Sequence, residues 1–182
     1  MYMDAKAIRE YPYLDAFLRG LGDRVARNPT VQKAFRDAST VVDAVADQAL
    51  VFGNDPGVLP GDIGARYGRY DPAKARTVIF IDQGFEQMLA NCRDFKGVSW
   101  VQNGEVRHQF NAQPAAEMLI EAKVLHEIVH FLDYTADNQH LDTEAGNLFE
   151  RAAYGKVLKH WHPDFALVEK VFPSYFRDKP RK

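Results

Sequence analysis

The sequence predicts an α+β domain, rich in helix, with a small sheet in its middle third and a buried helix that carries the chemistry. Three observations predict it. Apolar residues recur at three- and four-residue steps over the first fifty positions and again from Pro114 onward. Between them lies a β-branched and aromatic run, Thr77-Val78-Ile79-Phe80-Ile81, and then an Asn103-Gly104 pair flanked by two strand-like runs, the strongest short-range hairpin signal. The stretch from Met118 to Leu132 is helical in period but apolar over so much of its surface that it belongs in the interior.

The elements follow in order. Tyr13, Leu14, Phe17, Leu18, Leu21 and Val25 form one helical stripe, with Pro12 suited to its first turn, Gly20 and Gly22 weakening its middle and Asn28-Pro29 ending it. A second helix is expected from Pro29 to about Leu50, on the stripe Val31, Phe35, Ala38, Val42, Val45 and Ala49. Gly53-Asn54-Asp55-Pro56-Gly57 and Pro60-Gly61 read as turns. Arg66 to Tyr70 is a candidate short strand, Thr77 to Ile81 a clear one, and Gly84 to Cys92 a short helix. Val98 to Gln102 and Glu105 to Phe110 are the hairpin strands. A helix runs from Pro114 to Tyr134, and Asp142 or Thr143 can cap another that reaches Tyr154, with Gly155 ending or punctuating it. A last helix is expected from Pro163 to Phe172. The 182 residues suit a single domain over 1–182, with a helical part at 1–50, a sheet region at 51–113 and the chemistry-bearing helices at 114–182.

Composition excludes several classes. Hydrophobic residues make up 46% and aromatics 12%, enough for a substantial core. The net charge of −2 lacks the basic surplus that nucleic-acid binding requires, and the short basic tail from Arg177 to Lys182 reads as a solvated terminus. One cysteine, Cys92, permits no internal disulfide. No apolar run follows a basic start, so no signal peptide is expected, and no stretch has the apolar length of a membrane span. These features suit a cytoplasmic protein, or an exported one that needs no disulfide and uses a route that reads no N-terminal apolar signal.

His126-Glu127-Ile128-Val129-His130 carries the chemistry. A four-residue step puts both imidazoles on one helix face, about one turn apart, where both reach a single Zn²⁺. Glu127 is rotated by about 100° and stands beside the ion, placed to take a proton from the water that attacks a carbonyl. Two histidines and a glutamate in so apolar a helix are costly to bury unless they pair or bind metal, which favours the metal over a chance match.

A third metal ligand is expected from the helix that returns past the first. Glu150, two turns in, comes level with the ion better than Glu144, which the helix dipole also explains. Asp137 and His140 are the remaining candidates. Asp133 follows His130 by three residues and can accept a hydrogen bond from a ligand imidazole, or it is an ordinary surface aspartate. Tyr154, four residues after Glu150, can stabilise a tetrahedral oxyanion; an interfacial tyrosine with a wet hydroxyl is the plainer reading. His160 and His162, each alone, are more often surface or core histidines.

The stretch from His126 to Gly155 resembles the gluzincin branch of the zincin metallopeptidases, in which H-E-x-x-H is followed by a glutamate on the next helix. The run Glu150-Arg151-Ala152-Ala153-Tyr154-Gly155 resembles the glutamate helix of the clostridial neurotoxin proteases. His126-Glu127-Ile128-Val129-His130, Asp133, Glu144-Ala145-Gly146 and Phe149-Glu150 with Tyr154-Gly155 are similar to the metallopeptidase toxin or effector domains fused to type VI secretion spike proteins.

That resemblance implies a zincin-like fold, zinc as cofactor, and hydrolysis of peptide bonds in a protein or peptide substrate. It also implies a secretion-spike fusion or a cognate immunity protein as partners, and a role for the Asn103-Gly104 hairpin as the edge strand that pairs with substrate. Residues 1–113 carry no assignable motif. Peptide deformylases share the first motif, but Asn91-Cys92-Arg93-Asp94 does not match their cysteine context. A cell-wall peptide amidase and a non-catalytic zincin-like binding module stay open as alternatives; the retained Glu127 argues against the second.

Overall fold

The structure is a computed structural model that describes residues 1–64, 67–94, 98–102, 105–110, 113–137 and 144–158. Five helices open it: α1 (Ala5–Glu10), α2 (Pro12–Arg19), α3 (Leu21–Ala26), α4 (Pro29–Ala38) and α5 (Asp43–Leu50). The sequence reading missed α1, whose polar residues show no stripe; Asp4 caps it by accepting from the backbone N–H of Lys6 and Ala7. The helix expected from Pro12 breaks at Gly20, whose N–H folds back to Phe17.

The helix expected from Pro29 to Leu50 is two. Asn28 caps α4 through the N–H of Val31, and the chain then turns at Thr40, a β-branched residue at φ 53°. Ser39 Oγ donates to the carbonyl of Phe35 at 2.6 Å, and Thr40 Oγ1 donates to Asp133 at 2.8 Å. Hydroxyls that bond backbone or distant acceptors compete with helix continuation, and the unbroken apolar period hid that break.

Then come β1 (Gly57–Gly61), β2 (Gly68–Tyr70) and β3 (Val78–Asp82), in the order β1-β3-β2. β1 pairs parallel with β3 from Gly57 opposite Val78 to Gly61 opposite Asp82, and β2 pairs antiparallel with Tyr70 opposite Ile79. β1 reads as turn material in sequence because of Gly57, Pro60 and Gly61; a strand at a sheet edge tolerates proline. Central β3 alternates cleanly, with Ile79 and Ile81 fully buried.

Helix α6 (Gly84–Asp94) follows, and its Glu86 accepts from the N–H of Tyr13 and Leu14, docking the start of α2. The strands β4 (Val98–Gln102) and β5 (Glu105–Phe110) pair antiparallel as a separate two-stranded sheet. Helix α7 (Gln113–Asp137) packs against β2, β3, α4, α6 and α8 (Glu144–Tyr154). Its Ile120, Leu125, Ile128 and Val129 are fully buried, as the two-sided apolar pattern predicts.

The result is an α+β fold in which α7 lies between a mixed sheet and a helical layer. Among the described residues no helix is long and apolar enough to cross a membrane. The expected helix from Pro163 to Phe172, and His140, Asp142, Thr143, His160 and His162, lie outside the described residues, as does the side chain of Asp137.

Candidate metal centre

The four-residue step on α7 brings the two imidazoles together. Nε2 of His126 and Nε2 of His130 stand 3.2 Å apart, with ring centroids at 4.9 Å. Two nitrogens each about 2.05 Å from one tetrahedral ion stand about 3.3 Å apart, so the pair matches a shared metal.

Helix α8 supports this pair from behind. Its buried stripe is Gly146, Phe149, Glu150, Ala153 and Tyr154. Gly146 lies on His126, Glu150 on Lys123 and His126, and Tyr154 on Glu121, so α8 runs antiparallel to α7. A Cβ on Gly146 would stand 2.5 Å from His126 Cγ. Only glycine lets the helix backbone approach the ring so closely.

Glu150 is fully buried and every oxygen is engaged. Oε1 is 2.7 Å from both Lys123 Nζ and His126 Nδ1, and Oε2 accepts from the Leu158 N–H at 2.6 Å. Glu150 therefore meets His126 at the nitrogen that faces away from His130. Burial alone would raise its carboxyl, but the His126 hydrogen bond and the Lys123 ammonium outweigh that and hold it below the ordinary value. Glu144 is exposed and pairs with Arg151 at 3.7 Å.

Glu127 points to the opposite side, towards the sheet. It is 6% exposed and accepts from the backbone N–H of Tyr70 on β2. A Cβ on Gly68 would stand 2.6 Å from Glu127 Cγ and 2.7 Å from Oε1, so the glycine in β2 makes room for this carboxylate. Burial pushes the Glu127 carboxyl up to about 7, against the pull of His126, the Tyr70 N–H and Lys123. The strand beside Glu127 is thus β2, at one edge of the three-stranded sheet, while the hairpin forms its own sheet.

Tyr154 is 2% exposed, and its hydroxyl donates to Glu121 Oε1 at 3.2 Å. Burial and then Glu121 hold that phenol well above the ordinary range. Arg24 Nε stands 3.5 Å from the other oxygen of Glu121, and burial pushes the Glu121 carboxyl up to about 7. Asp133, 2% exposed, accepts from Thr40.

Residues 7–155 match the family model described as metallopeptidase toxin 3. The chain belongs to that family. Comparison with curated proteins and with solved structures finds no match. Membership makes the chain a metallopeptidase toxin domain, which implies a peptidase, a metal cofactor and a protein substrate.

The donor chemistry of this toxin peptidase fits a metal at His126 and His130, two borderline-soft nitrogens at ligand spacing. No group of three His, Cys, Asp or Glu side chains able to hold a metal occurs among the described residues.

Sequence reasoning gave no structural role to four residues around the candidate centre. Lys123 and Glu121 are charges inside the same apolar stretch that flagged the motif, and the same burial argument finds them. Gly146 sits inside a helix and Gly68 inside a strand, where a glycine weakens the element and marks a close approach.

Proposed function

We propose that this chain is a zinc peptidase in which His126 and His130 ligate the ion through Nε2, Glu127 is the general base, and Glu150 serves the centre through Nδ1 of His126. The observation that carries the reading is the 3.2 Å approach of the two Nε2 atoms beside a buried carboxylate on the next residue. When bound, zinc polarises a peptide carbonyl and acidifies water.

The chain's own residues supply the rest. Glu127, fixed by the Tyr70 N–H, accepts the proton of the attacking water and returns it to the departing amine nitrogen, so one C–O bond forms as the C–N bond breaks. An extended peptide is held by backbone pairing along β2, beside Glu127, in place of the hairpin that the resemblance implied. Direct ligation by Glu150 requires its carboxylate to leave Lys123, His126 and Leu158. Tyr154 supports the centre by bracing α8 on Glu121. Delivery by a secretion apparatus, and neutralisation by an immunity protein, belong to the same proposal, which membership of a toxin family supports.

Glu127→Gln tests the reading. The variant is expected to fold and bind zinc as wild type does while losing peptide hydrolysis by about 10²- to 10⁴-fold. Undiminished hydrolysis removes Glu127 as the base.

A further inference from the structure

Lys123 lies one turn before His126 on α7 and is 8% exposed. A buried ammonium is costly unless paired, and its partner here is the fully buried Glu150, at 2.7 Å. The same oxygen, Oε1, also meets His126 Nδ1 at 2.7 Å, and Oε2 takes the Leu158 N–H. Three donors therefore converge on one carboxylate, two from successive turns of α7 and one from the chain after α8.

A carboxylate with the Nδ1 position of an imidazole fixes which ring nitrogen carries hydrogen and turns the ring about its χ angles. At His126 it leaves Nε2 with its lone pair directed at His130.

We propose that Lys123 is a positioning residue for the metal centre: it anchors the Glu150 carboxylate against Nδ1 of His126 and so presents Nε2 of that ring in its ligand orientation. The inference rests on His126 as a ligand. Among the described residues Lys123 is the only lysine or arginine that hydrogen-bonds Glu150, and it shares Oε1 with the ring, so it fixes where that oxygen stands. Neutral removal of the ammonium frees Oε1 to follow a new donor or water, and the ring loses its fixed orientation.

The test measures Zn²⁺ affinity by competition with a chromophoric chelator, together with ¹⁵N shifts of the His126 ring in zinc-free protein. It compares wild type, Lys123→Met and Lys123→Arg. Wild-type His126 is expected as the single Nδ1–H tautomer. Lys123→Met is expected to bind zinc about 10- to 100-fold more weakly and to lose the single tautomer. Lys123→Arg, which keeps the cation, is expected to stay within about threefold of wild type.

Lys123→Met with unchanged affinity and tautomer overturns the proposal. Should Lys123→Met fail to fold, Lys123→Arg is decisive alone: a folded variant with a tenfold or greater loss of zinc affinity overturns it. Wild type that binds no zinc instead defeats the metal reading beneath it, so the two failures are distinct.

Discussion

Glu121, Lys123, Glu127 and Glu150 are all buried around one stretch of α7, and each is offset by a different partner. Lys123 and Glu150 neutralise each other, Glu127 takes the Tyr70 N–H, and Glu121 faces Arg24 and the Tyr154 hydroxyl. The last of these gives a pH signature away from the metal. Burial pushes the Glu121 carboxyl up to about 7 from an ordinary 4.5, so the folded chain holds this proton more tightly than the unfolded chain does. Its contribution to stability is fully present below 4.5 and is lost as pH rises through about 7. Glu127 shifts the same way, so the test is a difference. In zinc-free protein, Glu121→Gln is expected to flatten the fall in Tm between pH 5 and pH 8 relative to wild type, by the equivalent of about 3 kcal/mol or less. Parallel profiles would remove Glu121 as the source. Gly68→Ala probes Glu127 without touching the histidines. Its Cβ would crowd Glu127 Cγ at 2.6 Å, so kcat is expected to fall at least tenfold while zinc affinity stays near wild type. An equal loss of both would place Gly68 in the general packing instead.

At the level of elements, the packing of α8 on α7 sets the geometry of the centre. A helical Gly→Ala change ordinarily stabilises by about 0.8–1 kcal/mol. At Gly146 the added Cβ meets the His126 ring, which Glu150 holds from its Nδ1 side and cannot let swing away. Gly146→Ala is therefore expected to lower Tm and weaken zinc binding at least tenfold, checked by thermal melts with and without the metal. A variant as stable and as tight as wild type would show that the helices are free to move apart. The same element shows where sequence stops. Spacing alone put Glu150 level with the motif on a helix that returns past the first, and the structure has that return antiparallel with Glu150 at His126. Chain spacing carries no information on which ring nitrogen a carboxylate meets. That depended on Gly146, whose backbone lies against the His126 ring, where a Cβ would stand 2.5 Å from Cγ. The breaks at Gly20 and Thr40 were hidden for a related reason. Apolar period continues across both, and the deciding bonds, from Gly20 N–H to Phe17 and from Thr40 to Asp133, are local or long-range polar contacts that periodicity does not record.

For the whole molecule, the α+β class, α7, β3, the hairpin and α8 were legible, because each shows a strong period or turn signal. β1 was not, since its strand character comes from parallel pairing with β3 and not from its own residues, Gly57-Val58-Leu59-Pro60-Gly61. That β2 is the sheet edge packed on the motif helix was likewise not legible, because strand order is a tertiary property. The proposed centre draws on α7, α8 and the sheet, so metal binding is expected to couple to the fold as a whole. Saturating zinc is expected to raise the unfolding free energy by about 2.7 kcal/mol at 100 times Kd, and His126→Ala should abolish that gain in a thermal melt. The most direct measurement of the central claim is anomalous X-ray scattering at the zinc edge from crystals of the zinc-loaded protein. One peak within about 2.1 Å of Nε2 of both His126 and His130 is predicted. A peak that touches neither ring, or only one of them, would contradict the account.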